Sequence, residues 1–157
     1  MRNFTEVSRW QRDAQACLIS AQRALTSEDY RVAVQNAQLC VELSAKGVIA
    51  YFAEPLWRHD PSAQLRSILI AQVDVSAKRG GQDLLQALYQ LAADAEEVAP
   101  WHGWSTYGRE SGTGTWIAAV DLCTREVAED LLIRARRGLQ ALSDFLTVVT
   151  GSAEQGE

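Results

Sequence analysis

Apolar residues recur at three- and four-residue steps over most of the chain, which predicts a succession of amphipathic helices. From about Thr5 to Leu25, Val7, Trp10, Ala14, Leu18, Ala21 and Leu25 fall on one stripe, and Arg9, Arg12, Asp13, Gln22 and Arg23 fall mostly off it. A turn at Thr26–Asp29 supplies a hydroxyl cap and first-turn acids for a second helix, from about Glu28 to Ala53. That helix carries two adjacent stripes. One is Tyr30, Val34, Ala37, Val41, Ala45, Val48 and Phe52; the other is Ala33, Cys40, Ser44, Gly47 and Tyr51. Such a wide apolar arc predicts a central helix, with small residues where a neighbour comes close. Pro55 ends it.

Asp60-Pro61 reads as a cap followed by a first helical position, and Leu65, Ile68, Leu69 and Gln72 or Val73 continue a third helix. Lys78-Arg79-Gly80-Gly81 is a break. A fourth helix follows from about Gln82 to Val98, with Leu84, Leu85, Leu88, Leu91, Ala92 and Ala95 facing inwards and Pro100 stopping it. Residues 99 to 120 are the least regular. A fifth helix starts near Thr124, on a stripe of Val127, Leu131, Ala135, Leu139, Leu142, Phe145 and Leu146, with Gly151 as a C-terminal cap. No strand hairpin, internal repeat or linker is expected. The pattern predicts an all-α fold: an antiparallel up-and-down helix bundle of four main helices plus a shorter fifth. It fits one domain over 1–150 with a polar tail over 151–157.

Composition narrows the function classes. The chain has 157 residues, 47% hydrophobic and 22% charged, which suits one globular core. A formal net charge of −5 argues against coating nucleic acid by bulk electrostatics. All bases except Lys46 and Lys78 are Arg, which favours ion pairs and carboxylate or phosphate forks. Cys17, Cys40 and Cys123 lie far apart in apolar runs and read as buried free thiols. The first residues have no apolar signal region, and no run reaches the ~18 apolar residues of a membrane span, so a cytoplasmic protein with no membrane contact is expected.

Candidate chemistry concentrates in PWHGWSTYGRESGTGTW, which holds three of the five tryptophans. Trp101, Trp104, Tyr107 and Trp116 can stack a base or anchor a long connection to the bundle. Metal-independent RNA cleavage needs a base for the 2′-hydroxyl and a cation for the developing phosphorane charge. His102 and Arg109 are the catalytic candidates for those roles, against a plain reading of His102 as one more member of the Trp101/Trp104 cluster. Arg134, Arg136 and Arg137, with Arg125 earlier, form a basic face; Arg134 and Arg137, with Tyr107 and Trp104, are the candidate nucleotide or RNA contacts. His59, just before the Asp60 cap, reads as structural, bonding to the helix start or to the adjacent chain. Glu42 and Lys46, four residues apart, read as a helix-surface or dimer-contact pair. Asp94, Glu96 and Glu97 read as a solvated charge run. No His, Cys and carboxylate cluster shows ligand spacing, so neither a metal nor a cofactor is predicted. The GTGT stretch lacks the Lys and the strand–helix setting of a phosphate-binding loop.

The run of Ala37, Val41, Glu42, Ala45, Lys46 and Val48 resembles the second helix of HEPN domains. Asp29-Tyr30 ahead of it, Arg58-His59-Asp60 before Leu65, and Thr124, Glu126, Ala128, Glu129, Leu131 and Ala135 match further family features in order. The resemblance spans roughly residues 10 to 146. The chain departs from the family's ribonuclease toxins, which carry an Arg four to six residues before a His near the start of the last long helix; here no Arg precedes His59 or His102 at that spacing. Where relatives have Arg just before Tyr, Thr106 precedes Tyr107, and Arg109 follows it. What the resemblance implies is an all-α bundle, a homodimer, and an accessory partner of a small nucleotidyltransferase, as in toxin–antitoxin-like modules, associated with nucleotide or nucleic acid. The alternatives are a metal-independent endoribonuclease with a diverged site at Arg109 and His102, and a purely structural dimerisation module. A non-enzymatic role is the preferred reading of the three.

Overall fold

The computed structural model describes residues 4–154, and only the backbone of residues 73–80 and 152–154. The chain folds as an all-α bundle of α1 (Phe4–Thr26), α2 (Tyr30–Phe52), α3 (Ser62–Ala71), α4 (Val73–Val98) and α7 (Arg125–Glu154). A short α5 (Trp101–Tyr107), a strand pair β1 (Arg109–Glu110) and β2 (Trp116–Ile117), and a one-turn α6 (Ala119–Leu122) lie between α4 and α7.

The elements begin where their capping chemistry places them. Asp29, and not a Thr26 or Ser27 hydroxyl, caps α2, its carboxylate accepting from the Val32 N–H at 3.3 Å, so the expected first-turn acids stand ahead of the helix. Asp60 accepts from the Ser62 N–H at 2.9 Å, so Pro61 occupies the cap position of α3 and the helix starts one residue later than the Asp-Pro signal predicts. The third helix ends at Ala71, short of Val73, which opens α4. The expected break near Gly81 is present as a left-handed residue, φ 72°, within α4.

The central position of α2 follows from its double stripe. It packs against α1, α7, α4, α5 and α3. Ala37, Val41, Ala45 and Val48 from one stripe and Ala33, Cys40 and Gly47 from the other are all buried. On α2 itself the neighbours come closest at Gly47: a Cβ there would lie 2.8 Å and 2.9 Å from the Leu142 methyls and 3.3 Å from Trp10 Cβ. At the end of α2 the rings of Tyr51, Phe52 and Phe145 pack edge-on or tilted, 4.8–5.8 Å apart, and join α2 to α7.

Three expectations need correction. Residues 99 to 120 are more regular than read: seven of them form α5, despite Gly103 and three large rings that lower helix propensity. A strand pair does exist, antiparallel with Arg109 opposite Ile117 and Glu110 opposite Trp116. Two residues per strand are too few for alternation to register in sequence. Finally, α7 continues through Gly151 to Glu154 instead of stopping at a glycine cap, so the expected tail begins inside a helix.

Candidate functional site

The polar features of the bundle form two groups on either side of α5, and α2 supports both. Gln38, Glu42 and Lys46 recur every four residues, so they stand in one row along α2. Because that helix is enclosed, the row is buried: Gln38 is 1%, Glu42 4% and Lys46 8% exposed. This corrects the reading of Glu42 and Lys46 as a surface pair. The Lys46 ammonium donates to Glu42 Oε1 at 2.8 Å, and the Gln38 amide donates to Oε2 at 3.1 Å. Both carboxylate oxygens are therefore engaged, as a buried charge requires.

Two histidines from other parts of the chain close over this row. His59 comes from the connection between α2 and α3, and its Nδ1 lies 3.5 Å from Glu42 Oε2. His102, on α5, stacks face to face on His59 with ring centroids 3.5 Å apart and planes 16° from parallel. The Trp101/Trp104 cluster is therefore not the stacking partner of His102, and the Asp60 helix start is not that of His59. The Asp60 carboxylate serves the Ser62 N–H, and Trp101 and Trp104 pack edge-on against each other at 5.3 Å. A cleft of about 280 Å³ adjoins the stack, lined by Gln35, Gln38, Leu39, His102, Ser105 and Thr106.

The second group sits at the strand pair. Gly108, with φ 79°, turns the chain out of α5; a Cβ there would overlap the Ile117 carbonyl oxygen, so glycine is required. The turn places Arg109 over the Trp104 ring, 4.9 Å from its centroid. Tyr107 is 80% and Trp116 69% exposed. With Gly103, Gly108 and Glu110, these residues line a shallow cleft of about 300 Å³. The far end of α5 is fixed: the Arg31 guanidinium donates to the Ser105 and Thr106 carbonyls at 2.8 Å and 3.1 Å, and Gln35 donates to the Ser105 carbonyl at 3.0 Å. Trp101 and Trp104, both half-buried, anchor the segment, while Tyr107 and Trp116 present open faces.

The candidate catalytic pair is not brought together. Arg109 pairs with Trp104 and His102 with His59, on different clefts. The candidate phosphate contacts Arg134 and Arg137 also have another occupation. Asp94, fully buried, receives the Arg137 Nε and Nη2 at 2.6 Å each, the Arg134 Nη1 at 3.0 Å and the Gln90 amide at 3.2 Å. Asp94 thus belongs to the core and not to a solvated charge run. This fork raises the Arg137 guanidinium above its ordinary value, chiefly through the hydrogen bond to Asp94. Burial raises all three thiols, Cys40 to about 12, so none is an activated nucleophile at neutral pH. A further cleft of about 440 Å³, beside Glu6, Tyr51, Phe52 and Glu54, lies at the other end of α2 and is lined by neither histidine nor arginine.

The fold is an all-α helix bundle with a buried acid–base row on its central helix, and histidines from the α2–α3 connection and α5 lie against that row. The HEPN domain family model matches residues 7–145, and the chain belongs to that family. Membership supports a nucleotide- or RNA-associated role in general terms. No curated protein and no solved structure is a significant match to the chain. Among the described residues no helix is long and apolar enough to cross a membrane.

Proposed function

We propose that this HEPN domain, a single unit over 1–150, is a nucleotide- or RNA-associated accessory protein. In this reading it acts in the cytoplasm as a homodimer, alongside a small nucleotidyltransferase in a toxin–antitoxin-like module. One observation carries the ligand class: the open aromatic faces of Tyr107 and Trp116 beside the Arg109 guanidinium, which lies over Trp104. Exposed rings next to a cation suit a base and its phosphate, since every base has a stacking face and each stack contributes about 1–3 kcal/mol. That His102 and Arg109 line different clefts of the chain favours a binding role over cleavage, because a general base and its electrostatic partner must reach one phosphate. Arg134 and Arg137, already committed to Asp94, are not needed in this reading.

The test is fluorescence anisotropy of the full chain with a labelled single-stranded RNA and with nucleotides, at several salt concentrations. Tyr107→Ala, Trp116→Ala and Arg109→Ala are each expected to weaken binding several-fold or more while the fold is retained. Equal affinity in all three variants would remove the platform from the account. RNA cleavage in chelator, lost in both His102→Ala and Arg109→Ala, would instead establish the nuclease reading. Co-purification with a nucleotidyltransferase from native cells tests the partner.

A further inference from the structure

Glu42, His59 and His102 are used by neither the aromatic platform nor the packing of the core. Each offers a ligand atom, and those atoms all lie within 4.8 Å of one another. We infer that the three residues form a binding site for a borderline divalent cation of the zinc class, taking one imidazole nitrogen from each histidine and one oxygen from Glu42.

The donor set selects the ion. Two imidazoles and one carboxylate suit zinc, nickel, copper or iron, whereas calcium and magnesium prefer oxygen alone. The spacing agrees. Donors that each sit ~2.0–2.1 Å from a tetrahedral ion lie roughly 3.3–3.5 Å from one another. His59 Nδ1 and Glu42 Oε2 are 3.5 Å apart, a poor hydrogen bond but the edge of such a ligand set. His102 closes the remaining gap by rotation of exposed side chains: the His59 side chain is 61% exposed and sits on a non-helical connection, and His102 is exposed on α5.

The supporting groups also fit. Lys46 and Gln38 hold the Glu42 carboxylate in place from within α2, the arrangement that orients a ligating carboxylate. The cleft beside His102, lined by Gln35, Gln38 and Thr106, leaves room for water or an anionic ligand at a fourth position. Lys46 places a positive charge close to the ion. The site therefore binds more weakly than a closed structural zinc site.

The experiment is a titration of the full chain with Zn²⁺ by calorimetry and with Co²⁺ by visible absorption. One equivalent per chain is expected, with ligand-field bands and no thiolate charge-transfer band. His59→Ala and His102→Ala should each weaken binding by at least ~10-fold, and Gln38→Ala by ~10-fold at an unchanged equivalence. Circular dichroism checks that each variant folds, and His102→Gln replaces any that does not. Absence of heat and of ligand-field bands would overturn the site. So would a thiolate band, which assigns the metal to cysteine, or undiminished affinity in both histidine variants. RNA binding by the platform is read separately and does not decide this result.

Discussion

Two buried carboxylates, Glu42 and Asp94, show what separates a finished ion pair from an open one. Asp94 is fully buried, and three side chains fill its lone pairs: the bidentate fork of Arg137, with Arg134 and Gln90. It joins α4 to α7. Glu42 is 4% exposed and has two partners from its own helix, Lys46 and Gln38, while its remaining side faces exposed His59. A buried acid completed by arginines can only hold helices together. A buried acid with one side left to exposed imidazoles can still accept a ligand.

The comparison breaks most readily at Asp94. Replacing Arg134 and Arg137 together by Ala strands the carboxylate in the core, with an expected loss of about 3–5 kcal/mol in urea unfolding. Each single variant should lose less, because the other guanidinium remains, and the two losses should not add. If the double variant unfolds at the wild-type midpoint, the clamp is not structural. At the other carboxylate, Lys46→Met should cost about 2–3 kcal/mol, because Gln38 and His59 remain beside Glu42. Zn²⁺ should restore more stability to this variant than to wild type, a contrast that Asp94 variants should not show.

Packing gives a smaller effect. Gly47→Ala introduces a Cβ against Leu142 and Trp10, and overpacking of this kind costs about 1–3 kcal/mol. Alkaline pH probes the same core through Cys40. Burial raises its thiol from 9.0 to about 12, so the unfolded chain loses this proton first as pH rises. The native advantage is complete below pH 9.0 and erodes from there up to about 12, so the urea midpoint should fall across that interval and Cys40→Ala should flatten the fall. Smallest of all is Arg66→Ala: its pair with Glu96 is short at 2.6 Å but exposed, and the expected change is about 0–1 kcal/mol.

Much of the bundle can be read from the chain because helical periodicity is strong there. The stripes of α1 and α2, the Asp60 cap and the break near Gly81 all leave local signals, whereas the cap of α2 falls on Asp29, which the sequence suggests as a first-turn acid. The site is less legible because its parts are distant in sequence. The spacing of Glu42 and Lys46 fixes their common face but not what covers it; enclosure of α2 by several elements decides that. His59 and His102 meet only because α5 folds back onto α2, and no local pattern records this. Asp94 did leave a sign: it lies among Leu91, Ala92, Ala95 and Val98, all buried, where an acid calls for a cation from the facing helix. The row of Gln38, Glu42 and Lys46 on an otherwise apolar helix is a sign of the same kind. At the strand pair, Gly108 and the aromatic residues mark a turn, but not which rings stay open.

Helix α5 spans only seven residues, yet His102 near its start faces the acid–base row and Trp104 and Tyr107 further along face the strand pair. Arg31 and Gln35 tie its end to α2, so both clefts are referred to the same central helix. Were the proposed metal and RNA sites both occupied, any coupling through this segment would have to be reciprocal: whatever factor RNA contributed to metal affinity, the metal would return to RNA affinity.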